Sequence, residues 1–160
     1  VTAREGEPFD LPRAVSAVES ALSAALPASG PTTDQGEPGT GAWASTHGEG
    51  FLLLPVWESE ALTGVYGREW NEAEERAEMH LTALAAHLDA RFGPHRTLVM
   101  RPTGVARPEP FRTLLAKDCL GDLKVWGPSP SGRWTALSLN QSDGDAPMIL
   151  TALITDRPLS

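Results

Sequence analysis

The feature that most constrains this chain is a stripe of apolar side chains: Trp70, Ala73, Ala77, Leu81, Leu84, Leu88 and Phe92. They recur at three- and four-residue spacing until Gly93-Pro94. This is the period of an amphipathic α-helix, and a glycine followed by proline is a common way for one to stop. Glu69, Glu72, Glu74, Glu75 and Glu78 load its N-terminal half, while His87 and Arg91 stand near its C-terminus. That charge order complements the helix macrodipole.

A second, shorter stripe precedes it. Leu11, Val15, Val18, Leu22 and Leu26 repeat at helical spacing, with Asp10 placed to cap the first turn and Pro12 where a missing N–H costs nothing. From Pro27 to Gly41 the period vanishes into PASGPTTDQGEPGTG, which reads as one exposed, mobile loop at 27–41. Beyond it, Trp43 to Thr46 and Phe51 to Trp57 read as strands of a hairpin turning at His47-Gly48-Glu49-Gly50. The unbroken run FLLL from Phe51 suits a central strand covered on both faces.

After the long helix, Thr97 to Met100 reads as a short strand and Phe111 to Ala116 as a helical turn. Leu123 to Trp126, Arg133 to Leu139 and Met148 to Thr155 form a terminal meander separated by PSPSG and NQSDGDAP. Trp126 and Trp134, flanking the first of these turns, are placed to pair across it. This order predicts an α+β domain: an antiparallel sheet of about five to six strands with two main helices packed on one face. At 160 residues it is the length of one domain.

Net charge narrows the partners. At -8, the chain repels nucleic acid and favours encounter with a basic protein. The longest β-like apolar run, Phe51 to Leu54, stops at Pro55, far short of the roughly 20 residues that span a bilayer. Cys119 is the one cysteine and cannot close an intrachain disulfide, and no secretory signal pattern opens the chain, so the expected compartment is the cytoplasm.

Motifs for chemistry fail one by one. His80 and His87 are two helical turns apart, too far for an adjacent-turn zinc pair, and no third ligand has recognisable spacing. His47-Gly48-Glu49 matches half of a zinc deaminase signature but lacks its cysteine pair. GEPGTG from Gly36 has no Lys-Ser/Thr to hold phosphate, and no G-x-S-x-G elbow occurs. Asp143 and Asp145 lie in a turn without the twelfth-position acid of a calcium loop. No cofactor or metal is expected, and no catalytic residue is assigned.

The helix ERAEMHLTALAAHLDARFGPHRTL and the C-terminal stretch GRWTALSLNQSDGDAPMILTALIT resemble a pattern in small uncharacterised actinobacterial α+β proteins. It comprises Arg133 to Leu137, Gln141, Asp143, Pro147 and Met148 to Leu153, and carries no catalytic residue to transfer. Two lysines against eleven arginines fit a high-GC bacterial gene.

Small acidic α+β chains are also similar in style to immunity proteins that neutralise toxins. The expected function is accordingly protein binding, of an immunity or accessory kind. Glu72, Glu75, Glu78, His80, His87, Asp143 and Asp145 are the candidate binding residues, and the partner is a basic protein. The alternative is a small enzyme or ligand-binding domain with a pocket between sheet and helices, bringing together His80, His87 and Cys119. A third reading is a homodimer joined through Met79, Ala83, Ala86 and Ala90 on the outer face of the long helix.

Overall fold

The computed structural model describes residues 5–36, 43–100, 107–117 and 119–159. Asp10 accepts a hydrogen bond from the Arg13 N–H at 3.1 Å and opens helix α1, Leu11–Ser23. The long stripe is helix α2, Gly67–Phe92, which ends where Gly93 takes φ +91. A six-residue helix α3, Phe111–Ala116, occupies the predicted helical turn.

Seven strands form one antiparallel sheet in the order β1-β2-β3-β7-β6-β5-β4. They are β1 (Thr33–Gln35), β2 (Ser45–Gly48), β3 (Phe51–Glu58), β4 (Arg96–Leu98), β5 (Cys119–Trp126), β6 (Trp134–Asn140) and β7 (Ile149–Thr155). The fold class is the expected one, but the sheet exceeds the predicted five to six strands by β1, which lies inside the segment read as loop; residues 37–41 of that segment fall outside the described residues. The reason is physical. All three β1 side chains are exposed, so the strand leaves no hydrophobic period.

Polar ties from distant residues hold β1 instead. Asp34 accepts from Lys117 Nζ at 2.7 Å and from the Thr46 hydroxyl. Just upstream, Thr32 donates to Glu109 at 2.7 Å, and Glu109 also accepts from the Thr113 N–H and hydroxyl. Burial opposes ionisation of both carboxylates, but these donors outweigh it and hold both pKa values below the ordinary range. Lys117→Met removes the ammonium that bonds Asp34 and stands 5.5 Å over the Trp43 ring. We expect it to destabilise β1 by about 1 kcal/mol, read as faster hydrogen exchange at 33–35 with the α2 amides unchanged.

Both faces of the sheet are covered. On one side α1 and α2 pack on Leu137, Leu150, Ala152 and Ile154. On the other, α3, Trp43, Met100 and Leu159 cover Phe51, Leu53, Leu123, Ala136 and Leu153. The FLLL run divides accordingly, Phe51 and Leu53 facing α3 and Leu52 and Leu54 facing the helix pair. Trp126 and Trp134 do not pair: Trp126 opposes Thr135 while Trp134 opposes Thr155, and the two rings join opposite layers. The predicted pairing assumed a turn one register tighter than the one formed.

The β2–β3 turn is also shorter than the sequence suggested. Only Glu49 and Gly50 lie in it, so His47 and Gly48 belong to β2. Further along β3, the register slips between Pro55 and Trp57, at a proline that cannot donate to the ladder. The slip leaves Val56 and Trp57 both packed on the helix side.

Candidate functional site

That slip builds the first cleft. Trp57 donates through Nε1 to the Glu7 carbonyl at 3.0 Å, drawing residues 5–9 along the end of the sheet. Phe9 meets the Trp57 ring edge-on at 6.5 Å and stacks on His80 at 4.4 Å. After β3, Ser59 and Met148 exchange two bonds, Ser59 N–H to the Met148 carbonyl at 2.9 Å and Met148 N–H to Ser59 Oγ at 2.8 Å. Leu62 N–H donates to the Asp145 carbonyl at 2.9 Å, and Trp70 Nε1 to the Gly144 carbonyl at 3.0 Å. Segment 59–66, turn 141–147 and the first turns of α2 therefore share one end of the molecule.

A cleft of 440 Å³ lies among residues 6–7, the end of β3, segment 59–65 and the first turns of α2. Trp57, Leu62, Val65 and Ala73 give it apolar walls, and among the described residues lining it Glu7, Glu60, Glu69 and Glu72 supply carboxylates and Arg76 the one cation. Glu7 is paired with Arg13 at 3.0 Å and Glu72 with Arg68 at 3.4 Å. Beside Val65, Tyr66 is 75% exposed. An exposed aromatic next to apolar walls and carboxylates suits a basic, partly apolar segment of another protein.

The predicted binding residues divide. Glu72 lines this cleft, whereas Asp143 and Asp145 do not, lying on the turn whose Asp145 and Gly144 carbonyls accept from Leu62 and Trp70. Asp143 also organises that turn, its Oδ1 accepting from the N–H groups of Asp145 and Ala146 at 2.8 and 3.0 Å. Glu75 and Glu78 are exposed on α2 outside the cleft, and His87 is exposed about 10 Å further along the helix axis than His80.

His80 itself is a packing residue, stacked on Phe9 and edge-on to Trp57 at 4.7 Å. Burial first, and the Arg76 charge second, lower its pKa, so it is neutral at pH 7. His80 and His87 line neither this cleft nor the groove beside α1, and the side chain of Cys119 lies outside the described residues. Met79 is 67% exposed, with Ala83, Ala86 and Ala90 exposed along the same face. Glu60, Glu69 and Tyr66 were not singled out as site residues in the sequence, where Trp57 reads as a core residue. Their convergence depends on the β3 slip, whose one sequence trace is Pro55 within an apolar strand.

Among the described residues no group of three His, Cys, Asp or Glu side chains is placed to hold a metal ion, and no helix is long and apolar enough to cross a membrane. No protein-family model matches the chain, and neither a curated protein nor a solved structure shows significant similarity to it.

Proposed function

We propose that this is a non-catalytic protein-binding protein of the immunity or accessory kind, working in the cytoplasm, and that it takes a basic segment of its partner into the acid-lined cleft. The observation that carries the reading is the composition of that cleft, four carboxylates and one arginine among its described lining residues, around an apolar interior. A lysine or arginine side chain fits both halves, its methylenes against Leu62 and Val65 and its charge against Glu60 and Glu69. Tyr66 adds contact area at low entropic cost. The net charge of -8 extends the attraction beyond contact distance and raises the encounter rate.

The test is capture from the native lysate by the wild-type chain and by a Glu60→Lys/Glu69→Lys variant, both checked for folding by circular dichroism. We expect a basic protein retained stoichiometrically by the wild type, with affinity reduced at least about tenfold in the variant and weakened by salt. No retained partner, or equal retention by both chains, would sink the reading.

A further inference from the structure

The C-terminal end of α2 borders a second cleft, 320 Å³ in volume, which shares no lining residue with the acid-lined one. Leu22 of α1, Phe92 of α2 and Trp126 of β5 form its apolar walls, and Pro128 and Pro130 of the turn into β6 complete them. That turn is held in place. The Ser129 N–H donates to the Arg133 carbonyl at 2.8 Å, the Gly132 N–H to the Ser129 carbonyl at 2.8 Å, and the Arg133 N–H to Ser129 Oγ at 3.2 Å.

None of the described residues lining this cleft is an acid, and its two cations differ in what they bond. Arg91 is ion-paired with Glu19. Arg133 has no carboxylate partner among the described residues; its Nη1 donates instead to the Leu22 and Ala24 carbonyls at the C-terminal end of α1. These bonds use both Nη1 hydrogens and fix the guanidinium without neutralising it. The Nε–H and one Nη2–H remain, and they are the parallel pair through which a guanidinium takes a carboxylate side-on in two bonds.

Thr135 adds a second unmet group. It follows Arg133 by two residues, so both side chains lie on the helix side of the sheet, and both line the cleft. Thr135 is only 4% exposed, yet its hydroxyl has no hydrogen-bond partner among the described residues. A buried hydroxyl without a partner is costly, and a bound acceptor removes that cost.

We propose that this cleft binds a small aromatic monocarboxylate, its carboxylate on the Arg133 fork and the Thr135 hydroxyl and its ring against Phe92 and Pro128. The class follows from the unmet groups and the walls. A fixed fork selects a planar pair of anionic oxygens, and the flat faces of Phe92 and Pro128 suit a ring better than a flexible chain. The acids behind the walls do not compete for Arg133: Glu19 is held by Arg91, and Asp89 accepts from His95 and Trp126.

The experiment is a heteronuclear NMR titration of the full chain with phenylacetate, with its neutral isostere phenylacetamide and with inorganic phosphate. Phenylacetate should shift resonances of Phe92, the Trp126 indole, Arg133 Nε and Thr135, and bind about tenfold more tightly than the amide, the ratio expected of a charge-assisted contact. Arg133→Gln retains an amide donor for the α1 carbonyls and should reduce phenylacetate to the affinity of phenylacetamide. Thr135→Val should weaken the acid about threefold, and Phe92→Ala, at an exposed position, should weaken acid and amide alike. Should Arg133→Gln fail to fold, the comparison of acid with amide and the Thr135→Val variant decide. No cleft shifts at about 10 mM phenylacetate, equal binding of acid and amide, or undiminished binding to a folded Arg133→Gln chain would each overturn the assignment. Phosphate binding at Arg133 as tightly as phenylacetate would overturn it too, by making this an anion site in which the apolar walls play no part.

Discussion

Gly48→Ala is expected to destabilise the protein by about 3 kcal/mol, a larger effect than adding one methyl group to a surface strand normally has. A Cβ on Gly48 would lie 2.2 Å from Cε1 and 2.4 Å from Cζ of Phe51. Phe51 is fully buried beneath α3 and Trp43, so its ring cannot step aside without disturbing the layer it anchors. Backbone movement is also restrained, because the Gly50 carbonyl accepts from both the Asp156 N–H and the Thr155 hydroxyl. Urea denaturation of a double-mutant cycle isolates the cause. Phe51→Ala alone should cost about 4 kcal/mol, and Gly48→Ala should add little in that background. Additive effects of about the full single-mutant size would show that the clash is not with the ring.

The same hairpin illustrates what the sequence could and could not disclose. The glycines and the flanking apolar runs located it, because alternation and positive-φ residues are local properties. Its turn was read two residues too long, since Gly48 and Gly50 both satisfy the sequence requirement and only Gly50, at φ +74, needs a conformation that favours glycine. That shift moved His47 from a solvated tip into β2, where it faces a groove. The α2 stripe and the terminal meander were legible for a corresponding reason: each buries a regular face, and burial writes a period into the sequence.

Elements without a buried face were not legible. Strand β1 is held by Lys117 and, through Thr32, by Glu109, partners 83 and 77 residues distant, so no window along the chain contains its cause. The acid-lined cleft was half legible. Glu72 stood out as an exposed carboxylate, whereas the contribution of Glu60 and Trp57 required knowing that the strand slips at Pro55. The fold distinguishes the acidic residues of α2 by what packs beside each turn: the 59–66 segment reaches Glu69 and Glu72 and leaves Glu75 and Glu78 in solvent.

Asp89 stands near the C-terminus of α2, where the macrodipole disfavours an acid. Three donors reverse that preference. Its carboxylate accepts from the His95 N–H and Nδ1 at 2.9 Å each and from Trp126 Nε1 at 3.0 Å, and the His95 and Trp126 rings meet at 5.5 Å. Asp89→Ala leaves the Trp126 and His95 donors without this acceptor and separates the end of α2 from β5. We expect a loss of about 2 kcal/mol, the lower part of the range for bonds to a charged group because the carboxylate is one-third exposed.

The pH dependence has a definite sign. Burial raises the Asp89 pKa, but the His95 and Trp126 bonds and the His95 charge outweigh it and leave the carboxyl below its ordinary value. A group depressed in the folded state contributes stability that is full above its unfolded pKa, about 3.9, and that disappears as pH falls through the folded value. The stability difference between wild type and Asp89→Asn should therefore shrink as pH falls below about 4. Thermal denaturation across that range measures it. Asp34 and Glu109 titrate in the same direction, so only the difference between the two chains reports on Asp89; a difference that stayed constant down to about pH 2 would mean the bonds at this junction do not depend on its charge.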